Sequence, residues 1–144
     1  MLYVATALAH PEDQDLLRRI ETHRENRHPG WGLLELVGGS LDPIVEAADG
    51  RGAVLLDSVT LWVSARTYDE EESETLEEFE GFVERAGALS EPMILVSDEV
   101  GLGVVPESAT GRRFRDLLGL VNQRAAAAAE EVHLCVAGIA HRIK

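Results

Sequence analysis

Two predicted strand ends carry acidic residues that could bind a metal ion or a phosphate-bearing ligand. Asp57 follows the apolar run AVLL, and Asp98 with Glu99 follows the apolar run MILV. An ionised acid at the end of a buried strand is costly unless it faces a ligand, a metal ion or a hydrogen-bond donor. The AVLLD pattern is also that of a Walker B strand, whose acid helps to hold Mg²⁺ beside a nucleotide phosphate. Each acid could instead cap the turn after its strand, and Thr60 could add a hydroxyl.

His23 lies in the segment ETHRENRHPGW, among arginines that could hold a phosphate. A histidine in this setting can act as a nucleophile on phosphorus while the cations stabilise the developing negative charge. A histidine on the surface of a helix can equally have no chemical role, and both interpretations are open here. Metal binding by His23 and His28 is disfavoured, because no further cysteine or histidine accompanies them at ligand spacing.

A group of basic residues occurs near the C-terminus, in the segment GRRFRDLLGLVNQR. Arg112, Arg113 and Arg115 fall in one turn of a predicted helix, and Asn122 and Arg124 lie on the following turns. The helix could simply have a solvated basic face. Alternatively, the group could form an anion site or a contact between subunits.

Short apolar runs and helical patterns predict the elements that position these residues. Strands are predicted at residues 2–5, 33–37, 53–56, 93–96, 132–136 and 139–143, with 132–136 buried. Helices are predicted at residues 11–27, 42–48, 67–88 and 110–131. Continuous apolar strands that alternate with helices indicate a mostly parallel sheet covered on both faces. The predicted fold class is therefore α/β with three layers.

In such sheets ligands bind outside the carboxyl ends of the strands. The rule selects four places: Thr6 with Ala7, Asp57 with Ser58, residues 97–99, and Gly138. The segment SDEVGLGVVPES at residues 97–108 therefore begins at the predicted ligand edge. We expect Gly101 and Gly103 to let the backbone pass close to a neighbour, and Val104 and Val105 to be buried.

The composition indicates one soluble domain spanning residues 1–144, with 45% hydrophobic residues and a net charge of −13. The negative charge argues against nucleic-acid binding. No apolar run is long enough for a membrane span, and no signal peptide is evident, so we expect a cytoplasmic protein. Cys135 is the single cysteine, which excludes a disulfide framework, and it is expected in the core. Nine of the 26 acidic residues fall in residues 69–84, predicted to be a solvated helix face.

A phosphate-binding loop of the GxxxxGK[ST] type is absent from residues 1–144. Lys144 is the only lysine, so no internal lysine could complete such a loop. LVGGSLDP is the only glycine doublet after a predicted strand, and it does not match the pattern.

Six segments, taken in chain order, are similar to those of one family. They are YVATA, RIETHRENRHPGW with Glu35 four residues after the tryptophan, VLLDSVTLWVS, ILVSDEVGLGVVPES, RRFRDLLGLVNQRAAAAAEEV, and VAGI with the closing IK. Over essentially the whole chain they resemble the bifunctional adenosylcobinamide kinase / adenosylcobinamide-phosphate guanylyltransferase family of cobalamin biosynthesis. The EVGxGxVPE and FRDxxGxxNQRxAxxA blocks together make the resemblance specific.

The resemblance implies a RecA-like P-loop NTPase fold and a two-step activity. A nucleoside triphosphate, ATP or GTP, phosphorylates the aminopropanol hydroxyl of adenosylcobinamide. GMP then passes from GTP to that phosphate through a guanylylated histidine, which maps to His23. The residues that would line the nucleotide are Ala5, Thr6, Ala7, Arg24, Glu25, Asn26, Arg27, Glu35 and Asp57. Asp57 would bind Mg²⁺, and a homo-oligomer is expected because relatives self-associate.

Departures from the family pattern bear on these expectations, among them an interval between Thr6 and His23 that is about two residues longer than usual. Members often have asparagine where Asp98 stands. Members also carry a first strand, a phosphate loop and a first helix before the segment that corresponds to YVATA. Without the loop we expect both activities to be lost or very weak, and without the strand we expect two exposed strand edges.

Three explanations of the missing segment are open. The gene start could lie upstream of Met1, another chain could supply the segment, or the protein could be a decayed paralogue. The third explanation gives the alternative to an enzyme, which is a non-catalytic remnant that binds a nucleotide or a corrinoid.

Overall fold

The computed structural model describes residues 1–7, 12–36, 39–68 and 71–144. Its elements in chain order are β1 (Leu2–Ala5), α1 (Gln14–Asn26), β2 (Gly32–Glu35), α2 (Asp42–Ala47), β3 (Val54–Asp57), α3 (Val59–Arg66), α4 (Glu72–Gly87), β4 (Met93–Val96), α5 (Ala109–Ala128), β5 (His133–Val136) and β6 (Ile139–Arg142). Residues 11 and 37, the predicted ends of a helix and a strand, lie outside the described residues. No helix in the described ranges is long and apolar enough to span a membrane.

Four strands form a parallel sheet in the order β2-β1-β3-β4. The predicted α/β three-layer fold with a mostly parallel sheet is confirmed. The register aligns Glu35, Ala5, Asp57 and Val96 across the sheet. We call these four residues the strand-end row, because they are the last residues of their strands.

The two faces of the sheet differ in how well they are covered. Alternate residues such as Val4 and Leu56 are buried, and they pack in one core with Trp62, Phe79 and Phe82 of α3 and α4. We call this side the buried face, and the opposite side, which carries the strand-end row, the open face. On the open face Leu33, Ile94 and Val96 remain exposed. The open face is therefore the less covered side of the sheet.

The predicted helix at residues 67–88 is wrong in its first turn, and a separate helix before it was not predicted. α4 begins at Glu72, whereas α3 occupies residues 59–66 with Ser58 as its N-cap, whose hydroxyl accepts from the Leu61 amide at 3.3 Å. α3 buries Val59, Trp62, Val63 and Arg66, whose spacing of i, i+3, i+4 and i+7 places them on one side of the helix. The helix is only eight residues long, and Leu61 and Ala65 add apolar residues on its other side, so its amphipathic period is weak in the sequence.

The predicted buried strand at residues 132–136 is not part of the parallel sheet. β5 pairs antiparallel with β6 through a turn in which Ala137 and Gly138 both have positive φ, of 52° and 78°. Such turns match the twist of a two-stranded hairpin. The predictions of a buried strand, a buried Cys135 and a ligand position at Gly138 are therefore wrong, since the hairpin is largely exposed and Cys135 with it.

Lys144 fastens this hairpin to the end of α5. Its ammonium donates to the carbonyls of Ala126, Ala127 and Ala129 at 2.8, 3.0 and 2.7 Å. A cation at the C-terminus of a helix satisfies carbonyls that have no partner within the helix, and it also complements the helix dipole. α5 ends at Ala128, three residues before the predicted end, where these contacts replace the next turn.

The acidic helix α4 is not only a solvated face. Glu78 forms an ion pair with Arg66 at 2.7 Å and accepts a hydrogen bond from the Leu41 amide at 3.0 Å. Arg66, 6% exposed, also donates to the Gly39 carbonyl at 3.1 Å and stacks on Trp62. These contacts hold the segment before α2 against α3 and α4.

Removing the Glu78 carboxylate should therefore destabilise the fold. Glu78→Ala leaves the buried Arg66 guanidinium without this partner, and we expect a loss of about 2 kcal/mol in the free energy of unfolding. Urea denaturation measures it, with the exposed neighbour Glu77→Ala as the matched control. Equal stabilities of the two variants would contradict this role of Glu78.

Candidate functional site

The ends of β1 and β3 are joined directly beyond the strand-end row. The Thr6 hydroxyl accepts from the Ser58 amide at 2.9 Å and donates to the Ser58 carbonyl at 2.6 Å. Both residues are buried. The Thr6 hydroxyl is thus committed to the protein, and its contacts fix the backbone that carries Ala5 and Asp57.

Asp57 is half-buried, and its carboxylate is tied to the middle of β1. The Tyr3 hydroxyl donates to Oδ2 of Asp57 at 2.7 Å. Burial, together with the hydrogen bond and the charge of Asp57, raises the pKa of Tyr3 to about 12, although the nearby Arg27 opposes the shift. The hydroxyl therefore stays protonated and donates throughout the ordinary pH range.

α1 reaches the open face through arginines near its C-terminal end. Arg24 forms an ion pair with Glu35 at 2.9 Å, and the Arg27 guanidinium lies 4.4 Å from the centroid of the Tyr3 ring. No residue of α1 is fully buried, so these two contacts matter for its placement. The predicted residues Arg24, Arg27, Glu35 and Asp57 therefore gather around Tyr3 and the end of the sheet.

Three other predicted site residues lie beside Arg24 and Arg27 in the chain. His23, Glu25 and Asn26 are exposed on the last turns of α1, and His23 borders an open groove with Arg19 and Thr22. His28 is used locally, since its Nδ1 accepts from the Gly30 amide at 3.1 Å.

The protein could supply only part of the coordination of a metal ion at this place. Among the described residues no group of three or more His, Cys, Asp or Glu side chains could bind a metal by itself. A carboxylate oxygen such as that of Asp57 suits a hard cation like Mg²⁺, which proteins often hold with one or two carboxylates plus phosphate oxygens. The arrangement fits a cation whose coordination a bound nucleotide completes.

The segment that begins at Ser97 is held by the side chains of α3 and α5. The Asp98 amide donates to the Thr60 hydroxyl at 2.8 Å, and the Asp98 carbonyl accepts from Asn122 at 3.0 Å. The Ser97 hydroxyl donates to Asn122 at 2.6 Å. Because Asp98 takes part through its backbone, these contacts do not require a particular side chain at that position.

The predictions for the glycines and valines at residues 101–105 can be compared with the structure. Val104 is 95% exposed and Val105 is exposed as well, so the prediction that they are buried is wrong. No helix or strand of the described ranges covers them, since the chain runs along the surface before α5. A Cβ at Gly101 would lie 2.7 Å from the Glu99 carboxylate, the end of a flexible side chain, and a Cβ at Gly103 would meet nothing within 4 Å. The expected close approach of the backbone to a neighbour is therefore not seen at either glycine.

The basic residues of α5 have local partners. Arg112 donates to the carbonyls of Pro106 and Glu107 at 3.0 and 2.7 Å, and Arg124 pairs with Glu80 of α4. Arg115 pairs with Asp116 at 3.3 Å. The cluster therefore secures the end of the segment before α5 and the packing of α5 on α4.

Tyr3 is the site residue that was not singled out from the sequence. A tyrosine in an otherwise aliphatic strand was the available signal, because a buried tyrosine hydroxyl usually has a hydrogen-bond partner. The identity of that partner depends on pairing between strands 54 residues apart.

A parallel sheet with an acid at the end of an inner strand is consistent with the fold of P-loop NTPase-like α/β proteins. Within this class, the chain belongs to the CobU family, described as cobinamide kinase / cobinamide phosphate guanyltransferase, which matches residues 1–143. The resemblance drawn from the sequence is thereby confirmed.

Three relatives support this assignment. The chain is 35% identical over 158 residues to the bifunctional adenosylcobalamin biosynthesis protein CobU of Escherichia coli, covering 100% of this chain and 86% of the relative. The protein of the same name from Salmonella typhimurium is 33% identical with the same coverage. The bifunctional adenosylcobalamin biosynthesis protein CobP of Pseudomonas aeruginosa is 34% identical over 142 residues, covering 99% of this chain and 81% of the relative.

The Tyr3–Asp57 contact predicts that the stability of the fold depends on pH in the alkaline range. The fold favours neutral Tyr3, so its contribution to stability is complete below the ordinary pKa of 10.0 and falls as the pH rises towards about 12. Asp57→Asn should lower the pKa of Tyr3 part of the way to its ordinary value, because the negative charge is gone while the burial remains. Tyrosinate absorbance as a function of pH measures the ionisation of Tyr3. Tyr3→Phe should abolish this ionisation step, and Tyr68→Phe should leave it unchanged. A Tyr3 pKa that is the same in Asp57→Asn as in wild type would contradict the coupling between Tyr3 and Asp57.

The backbone contacts at position 98 predict that substitution of Asp98 changes stability little, whereas substitution of Asn122 lowers it. Asp98→Asn should change the free energy of unfolding by less than about 0.5 kcal/mol. Asn122→Ala removes two hydrogen bonds and should cost about 2 kcal/mol. Thermal or urea unfolding tests this, with the exposed Gln123→Ala as the control, and a larger effect at Asp98 than at Asn122 would refute it.

Proposed function

We propose that this protein acts in cobalamin biosynthesis as a transferase on adenosylcobinamide and its phosphate, with GTP as the source of GMP. The observation that supports this most is the grouping of Arg24, Arg27 and Asp57 at the end of a parallel sheet, in a chain that matches the family over residues 1–143. The arginines supply positive charge for phosphates, and the aspartate supplies an oxygen for Mg²⁺.

In the proposed guanylyl transfer, His23 is the nucleophile. A ring nitrogen attacks the α-phosphorus of GTP, a phosphorus–nitrogen bond forms, and pyrophosphate leaves. The phosphate of adenosylcobinamide phosphate then attacks the same phosphorus, which restores the histidine and gives the GDP-linked corrinoid. His23 is exposed on the last turns of α1, one turn from Arg27, and so is accessible to a nucleotide near that arginine.

The proposed kinase step precedes the transfer. The aminopropanol hydroxyl of adenosylcobinamide attacks the γ-phosphorus of ATP or GTP, and the nucleoside diphosphate leaves. Mg²⁺ at Asp57 would supply charge stabilisation for the phosphates, and Arg24 and Arg27 would help to orient them.

A second candidate function is non-catalytic binding of a nucleotide or a corrinoid. Residues 1–144 taken by themselves contain no GxxxxGK[ST] loop to provide backbone amides and a lysine for the phosphates, and these residues alone would then bind without transferring a group. This candidate predicts GTP binding without any covalent product.

Labelling with α-³²P-GTP and Mg²⁺ separates the two candidates. The enzyme proposal predicts an acid-labile, base-stable label on the protein that His23→Ala abolishes. The label should survive in His28→Ala, which alters the other histidine of the same segment. Binding of GTP without label would support the non-catalytic candidate, and a label that persists in His23→Ala would rule out the assigned nucleophile.

A further inference from the structure

Tyr3 makes two contacts that connect the proposed nucleotide-binding groups. Its hydroxyl donates to Oδ2 of Asp57 at 2.7 Å, and its ring face is covered by the Arg27 guanidinium at 4.4 Å. Tyr3 is only 9% exposed and lies in β1, which pairs with β2 and β3 on its two sides. The hydroxyl therefore has little freedom to leave Asp57.

The register explains how this contact arises. Ala5 is the partner of Asp57 and Tyr3 is the partner of Leu55, so Tyr3 lies diagonally across from Asp57 on the open face. Diagonal neighbours on adjacent strands are within reach of a long aromatic side chain. The contact thus follows from strand pairing that is fixed on both edges of β1.

The contact leaves the two oxygens of Asp57 unequal. Oδ2 accepts the Tyr3 hydrogen bond, while within the described residues Oδ1 has no hydrogen-bond partner. Because Tyr3 is held within β1 and its hydroxyl lies 2.7 Å from Oδ2, Oδ2 remains occupied by this hydrogen bond. Only Oδ1 is then available to a cation.

Resting on the proposed function, we propose that Tyr3 is a positioning residue that determines which metal ion Asp57 accepts with the nucleotide. A carboxylate that offers one oxygen suits the small octahedral Mg²⁺, whereas Ca²⁺ readily takes carboxylates through both oxygens. By occupying Oδ2, Tyr3 restricts Asp57 to a single ligand oxygen and so favours Mg²⁺ over Ca²⁺.

The test compares metal-dependent GTP binding in wild type and Tyr3→Phe. Calorimetry with GTP at increasing Mg²⁺ or Ca²⁺ gives the metal concentration for half-maximal binding. In Tyr3→Phe the Mg²⁺ midpoint should rise and the Ca²⁺ midpoint should fall, so that the preference for Mg²⁺ decreases about tenfold, as expected for one hydrogen bond to a carboxylate. Tyr68→Phe, which alters a tyrosine that is 73% exposed, should match wild type.

A second measurement does not depend on the stability of Tyr3→Phe. 3-Fluorotyrosine incorporated into Tyr68→Phe labels Tyr3 alone. Its ¹⁹F signal should shift when GTP and Mg²⁺ are added together and should not shift with GTP alone, because the metal withdraws charge from the hydrogen-bonded carboxylate. In Asp57→Asn this metal-dependent shift should disappear.

The outcomes separate this inference from the proposed function. Metal-dependent GTP binding with the same Mg²⁺ and Ca²⁺ midpoints in wild type and Tyr3→Phe would overturn the inference and leave the proposed function standing. A ¹⁹F signal that is unmoved by Mg²⁺ with bound GTP would have the same consequence. GTP binding by wild type that does not depend on a metal ion, or no GTP binding, would overturn both.

Discussion

The register of the four parallel strands places Glu35, Ala5, Asp57 and Val96 in one row. The arrangement of the candidate site depends on this alignment. It brings Asp57 within reach of Tyr3, and it sets Glu35 where Arg24 can pair with it. A slip of one residue would turn the aspartate to the buried face, where an ionised carboxylate is costly. The buried face, packed on the aromatic side chains of α3 and α4, prevents such a slip.

Much of this arrangement could be predicted, because its signals are local. The continuous apolar strands identify a covered parallel sheet, and the strand-end rule then selects Thr6, Asp57 and Ser97. What could not be predicted depends on contacts between distant parts of the chain. The Tyr3–Asp57 hydrogen bond spans 54 residues. The apolar strand at 132–136 has the composition of a buried strand, yet a turn at Ala137 and Gly138 pairs it with its own continuation.

Several residues of the segments that resemble the family hold the backbone in place. Asn122 of the NQR block and Thr60 of the DSVT block both bind main-chain atoms of Asp98. Arg112 binds the carbonyls of Pro106 and Glu107 at the other end of the same segment. These side chains therefore fix the path of the chain from the end of β4 to α5, while the groups suited to phosphate chemistry lie on α1 and β3.

The central claim is that one nucleotide binds at the strand-end row, between α1 and β3. Paramagnetic broadening of backbone amide signals by GTP with Mn²⁺ in place of Mg²⁺ tests this claim most directly. The account predicts strong broadening at residues 5–7, 23–27 and 57–58, and none at the hairpin residues 133–142. Broadening centred on the hairpin or on the exposed face of α4, with residues 57–58 unaffected, would contradict it.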